Sequence, residues 1–156
     1  MSYIPIIDDI GFFGPIIIFI ISIFVLWGRA KYLKLYLVVV VINTCVNKIL
    51  KNTIQSPRPV TSDKDMIYKS FDTIDGVEKY GMPSGHAQSV SSSILYLYLV
   101  TKSVTLLIGS SFIGTLTILQ RYRFKRHSIT QLLVGCIIGF SIAYISYYLS
   151  IFIFTC

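Results

Sequence analysis

At 156 residues the chain is 54% hydrophobic and only 13% charged, with a mean hydropathy of +0.71. The apolar residues come in long blocks instead of alternating with charge, which excludes an ordinary soluble domain and points to one integral-membrane domain over residues 1–156. A net charge of +7 suits nucleic acid, anionic lipid or an anionic substrate; nucleic acid is set aside because most basic residues flank the apolar blocks and no soluble module presents them to a groove.

Five spans fit, giving an all-α polytopic helix bundle. The first covers residues 10–28 and follows Asp8 and Asp9, with no small-residue cleavage site before Arg29 and Lys31, so it reads as a retained span and not a signal peptide. Gly11, Gly14 and Pro15 suggest an irregular turn at its start. The second covers 33–50, and a long connection, 51–84, follows it, mixing acidic and basic residues in the manner of a lid, an entrance or a solvated linker. The third, 85–101, is short for the ~20 residues that cross a bilayer. The fourth covers 103–120 and the fifth 128–153, with Gly109, Gly114, Gly135 and Gly139 placed for close helix contacts. Tyr32, Tyr36, Tyr80 and Tyr122 read as interfacial anchors, and Cys45, Cys136 and Cys156, without metal or disulfide spacing, as small apolar core residues.

Three polar clusters sit at span ends: 51–59 (KNTIQSPRP), 83–86 (PSGH) and 121–131 (RYRFKRHSITQ). Counting crossings puts all three on one membrane face, because an even number of spans separates any two. Arg58 and Arg121 can each grip two phosphate oxygens with a planar fork, and Lys51 adds a point charge. Lys51 lies one helical turn after Asn47 and two after Asn43; alone, that set equally reads as a snorkelling lysine with interhelical amide contacts. Ser84 and Gly85 open a helix, whose unpaired N–H groups form an anion seat, with His86 beside it as a proton donor; alone, the tetrapeptide equally reads as a Ser cap and an interfacial His. His127 opens the fifth span with Gln131 four residues on, so the amide oxygen is expected to accept from one imidazole nitrogen and leave the other to attack phosphorus. Alone, that segment reads rather as a juxtamembrane basic cluster for anionic lipid. The conjunction is what is specific, since both histidines of the chain fall in these clusters.

Those clusters resemble the three signature motifs of the type-2 phosphatidic acid phosphatase superfamily: K-x6-R-P from Lys51 to Pro59, P-S-G-H from Pro83 to His86, and R-x5-H from Arg121 to His127. The fuller stretches LKNTIQSPRP (50–59) and KYGMPSGHAQ (79–88) are similar to the dolichyl-diphosphatase branch. The resemblance covers about Asn47 to Gly135 and leaves the first span unmatched. It implies that Lys51, Arg58, Arg121, Ser84 and Gly85 hold phosphate and that His127 is the nucleophile of a phosphohistidine intermediate. By the same resemblance His86 releases the lipid portion and then activates water, with no metal or cofactor. Gln131 stands where the superfamily has Asp, a departure that the branch shares, and Gln120 stands where the superfamily usually has Ser. The superfamily commonly has six spans, so the resemblance implies that an N-terminal one is lacking.

The resulting expectation is a phosphatase that converts a polyprenyl (dolichyl) diphosphate to the monophosphate, with membrane lipids around it and an endoplasmic reticulum address. Arg29, Lys31 and Lys34 favour a cytoplasmic first loop and hence a lumenal site, whereas Arg123, Lys125 and Arg126 argue the other way. The rivals are a phosphatidate or other lipid-monophosphate phosphatase and a non-catalytic binder of anionic lipid. Nothing in the pattern specifies an oligomeric state.

Overall fold

The computed structural model describes residues 4–59 and 80–155. It is built from five helices: α1 (Pro5–Leu26), α2 (Ala30–Ile54), α3 (Gly85–Thr101), α4 (Val104–Arg123) and α5 (Ile129–Thr155). Four of them, all but α3, are long and apolar enough to cross a membrane. Their outer faces carry side chains such as Ile16, Phe24, Phe112 and Ile137, each more than half exposed, an apolar surface that hydrocarbon covers and water would not tolerate.

Helix α3 is the exception that organises the rest. Its 17 residues rise about 26 Å and include Gln88, Ser91, Ser92 and Ser93, all buried. It packs against each of the other four helices, so protein and not lipid meets its polar side chains. Glycines set how close the neighbours come. A Cβ at Gly135 of α5 would lie 2.7 Å from the Ser84 carbonyl oxygen, and one at Gly139 would collide with the Gln88 carbonyl. On α4, a Cβ at Gly114 would lie 2.7 Å from Ile94 Cδ1, whereas Gly109 faces nothing and makes no close helix contact.

Several expectations change. Pro5 sits in the first turn of α1, where its missing N–H costs nothing, and the helix runs unbroken through Pro15. Gly11 and Gly14 therefore do not form a turn; they let α1 press against Gln120 and Thr117 of α4. Tyr36 is no interfacial anchor: it is fully buried, bonded to Ser93 Oγ at 2.9 Å and set against Phe19 and Tyr96. Cys45 is exposed on α2 and so is not a core residue. Of the long connection, residues 60–79 lie outside the described residues, and with them most of the expected lid or entrance.

The chain reverses at each connection, so α2 and α4 end where α3 and α5 begin. Lys51, Gly85, Arg121 and His127 all lie within three residues of those ends, which brings the three polar clusters to one end of the bundle.

Candidate active site

The site begins with the last turns of α2. Asn43 and Asn47 do more than join two helices. Asn47 Nδ2 donates to the Pro83 carbonyl at 3.2 Å and to Gln88 Oε1 at 2.7 Å; Gln88 Nε2 donates to the carbonyl and side-chain oxygens of Asn43, both at 3.0 Å. This amide ladder fixes the Pro83–His86 turn against α2. Within the turn, Ser84 caps α3, its hydroxyl oxygen accepting the Ala87 N–H at 3.4 Å. Gly85 is needed there, since a Cβ would press on Asn47 Oδ1 at 3.2 Å.

Gln55, in the left-handed region at φ 52°, ends α2 and turns the chain toward Pro57, which pairs with Tyr80 in a single bridge. Arg58 follows directly. Gln131 holds this segment: its Nε2 donates to the Pro57 carbonyl at 2.8 Å and to Ser56 Oγ at 3.3 Å, while its backbone oxygen accepts from Ser84 N at 3.0 Å. Gln131 also closes a capping box on α5, with Ser128 N–H bonded to Oε1 and Gln131 N–H to Ser128 Oγ, each at 3.2 Å. One residue, through its side chain and its backbone oxygen, thus ties together the three clusters.

The contact expected between Gln131 and His127 is therefore absent. Helix α5 starts at Ile129, two residues after His127, so the pair does not share a helical face. The Gly81 carbonyl takes that place, accepting from His127 Nδ1 at 2.9 Å. Because a carbonyl can only accept, the proton sits on Nδ1 and the lone pair on Nε2. A Cβ at Gly81 would lie 2.5 Å from Gln131 Oε1, so the residue is small for a reason.

His127 is 3% exposed. Burial and then the charges of Arg58, Arg121 and Lys51 lower its pKa from 6.5 to about 3, only partly offset by the Gly81 hydrogen bond. The three cations picked out from the sequence thus all act on this imidazole, which is neutral at physiological pH. Arg121 is fully buried and donates from Nη2 to His86 Nε2 at 2.6 Å, so the second histidine joins the same cluster. Arg126, expected on a solvated rim, is instead only 4% exposed.

Two cavities flank this cluster. One, of about 340 Å³, is lined by Arg123, Lys125, His127 and Ser128 together with Pro59 and Tyr122. The other, of about 380 Å³, lies between α1, α2 and α3, with His86, Gly85 and Asn47 at one end and Phe12, Phe13 and Ile16 along its wall. A third space of about 240 Å³ shares Pro15, Ile16, Asn43 and Ser89 with it and continues toward Tyr36.

Gly81, Gln88 and Phe12 are positions in contact with this cluster that residue patterns alone missed. Gly81 and Gln88 lie inside the KYGMPSGHAQ stretch, where a signal existed. Phe12 has none, being one apolar residue within an apolar span.

A buried Arg121, with Arg58 and Lys51, beside a neutral imidazole and a second imidazole near a helix start is the kind of set that a phosphate ester requires. The PAP2 superfamily signature matches residues 32–153, and the chain belongs to that superfamily, whose members are phosphatases acting on lipid phosphates. No curated protein and no solved structure matches the chain significantly.

Proposed function

We propose that the protein hydrolyses a polyprenyl diphosphate, of which dolichyl diphosphate is the leading candidate, to the monophosphate and inorganic phosphate through a phosphohistidine on His127. The observation that carries this reading is the convergence of Arg58, Arg121 and Lys51 on a buried His127, with Arg121 also bonded to His86. In-line displacement at phosphorus needs nucleophile and leaving group on opposite sides. His127 lines one cavity beside Arg123 and Lys125, and His86 lines another beside Phe12, Phe13 and Ile16.

His127 Nε2 attacks the terminal phosphorus and forms a P–N bond while the bridging P–O bond breaks. Lys51, Arg58 and Arg121 balance the equatorial oxygens, and the Ser84–Gly85 helix start adds N–H donors. In the resting site Arg121 donates to His86 Nε2, so that nitrogen carries no proton there. An arriving diphosphate draws the guanidinium onto its oxygens and leaves Nε2 open to protonation. His86 then gives that proton to the departing lipid monophosphate. Afterwards His86 takes a proton from water, which attacks phosphorus, breaks the P–N bond and releases phosphate. Gln131 acts as a positioning residue, its side chain holding Arg58 through Pro57 and Ser56 and its backbone oxygen accepting from the Ser84 N–H. A ring of cations repels a metal ion, which supports chemistry without one.

The preference for a diphosphate rests on the LKNTIQSPRP and KYGMPSGHAQ stretches and on Gln131 in place of Asp. The same resemblance supports an endoplasmic reticulum address. Arg29, in the short connection between α1 and α2, and Lys31 and Lys34, in the first turns of α2, have no acidic neighbours and support a lumenal site at the opposite end.

The test is phosphate release by purified protein from a panel of lipid phosphates in chelator. Faster turnover of dolichyl diphosphate than of phosphatidate is expected. A strong phosphatidate preference would overturn the substrate, and metal-dependent turnover would overturn the mechanism.

A further inference from the structure

Helix α1 lies outside the matched residues 32–153, yet it reaches into the site. The Phe12 ring sits over the Arg121 guanidinium at 4.8 Å from its centroid and 5.8 Å from the His86 ring. Phe12 is 6% exposed and Arg121 is fully buried, so little water competes for the contact. We infer that Phe12 is a positioning residue of the phosphate site, its aromatic face fixing the plane in which Arg121 meets both His86 and the substrate.

The rest of α1 is arranged to hold that ring in place. Asp8, one helical turn before Phe12, is buried and accepts from Arg123 Nη1 at 2.8 Å and from the Ile4 N–H at 2.7 Å. Arg123 is two residues beyond Arg121, so the ion pair ties α1 to the end of α4 that carries the guanidinium. At Gly11 a Cβ would lie 2.6 Å from Gln120 Cβ and 2.7 Å from the Leu116 carbonyl, which shows how closely the two helices approach there. Phe13 meets Phe12 edge-on at 4.9 Å, and Phe124 completes the buried cluster.

Two other ways of using Phe12 would leave a different trace. A residue that only filled space could be replaced by any apolar side chain of similar volume. One that only lined the lipid cavity would alter affinity for lipid substrate and not for free phosphate. A ring that orients the guanidinium affects both, because Arg121 binds the shared phosphoryl group. Loss of a desolvated cation–π contact is worth roughly a tenfold change in binding.

The inference rests on the phosphatase reading, and the experiment separates the two. Wild type, Phe12→Leu and Phe12→Tyr are purified as full chains in detergent. Binding of inorganic phosphate is followed by phosphorus NMR, alongside KM and kcat on the lipid diphosphate and the thermal unfolding midpoint. Phe12→Leu should weaken phosphate binding and raise KM by about five- to tenfold while the midpoint hardly moves, and Phe12→Tyr should bind close to wild type. Phe12→Met serves as a second aliphatic variant should Phe12→Leu fail to fold. Wild-type phosphate affinity in the aliphatic variants, equal losses in Leu and Tyr, or no phosphate binding by wild type would each overturn the inference. Wild type that binds phosphate but turns over no lipid diphosphate would overturn the function alone, since the role of Phe12 is still read from phosphate affinity.

Discussion

The two ends of the bundle use the same kinds of residue in opposite ways. At one end, Arg29 is exposed and reaches the Val100 carbonyl at 3.0 Å, and Lys102 lies over the rings of Tyr98 and Tyr147. At the other, Arg121 and Arg126 are buried and Arg121 contacts His86 directly. Cations at the first end can keep their water, so they contribute little to stability individually. Cations buried together at the second repel one another, and such a cluster persists where an anion is to be bound. Charge count alone, then, does not identify a site; buried charge does.

The comparison is broken most severely at His127. His127→Ala should lower phosphate release by at least about a thousandfold with membrane insertion unchanged, as expected when the nucleophile is removed. Unchanged release would remove His127 from the mechanism. Arg121→Lys keeps the charge but loses the planar fork, and a drop in kcat/KM of about a hundredfold is expected from steady-state kinetics. Gln131→Ala removes the donor to Pro57 and half of the α5 capping box; it should cost about 1–2 kcal/mol of stability by detergent unfolding and roughly tenfold in activity. At the opposite end, Arg29→Ala should change activity less than about twofold and stability by under about 0.5 kcal/mol.

The electrostatics can be sharpened by a measurement that does not read activity. With its pKa lowered to about 3, His127 keeps its neutral form as pH falls from 7 to 5, so it gains no proton in the range where an ordinary histidine would. Ring nitrogen shifts in a His86→Ala protein should therefore stay constant over that range. A transition near 6.5 would mean that the ring is not buried beside the cations.

Much of this architecture was legible from residue order. Long apolar blocks announce membrane helices because hydrocarbon leaves the backbone no partner but itself. The even number of spans between clusters placed them at one end, as the structure has it. Three things were not legible, for distinct reasons. Helix α3 reads as a short, Ser-rich span because its apolarity is supplied by neighbours, which a one-dimensional pattern does not contain. The Gln131 contact depended on where α5 begins; Ser128 and Gln131 form a capping box that starts the helix just beyond His127 and turns the amide toward Pro57. Phe12 is indistinguishable from its apolar neighbours until α1 packs on α4. Asn47 and Gln88, by contrast, are polar residues at span ends, where amide side chains without a partner would be costly, and that cost was a usable sign.

The central claim is that separate helices gather their cations and imidazoles around one phosphorus, which His127 attacks. The most direct measurement is to quench turnover of a terminally labelled lipid diphosphate in alkali, where phosphohistidine survives, and to locate the label by peptide mass spectrometry. The account predicts label on His127, accumulating further in a His86→Ala protein whose hydrolysis step is slowed. Label on another residue, or brisk turnover with no labelled protein in either form, would contradict it.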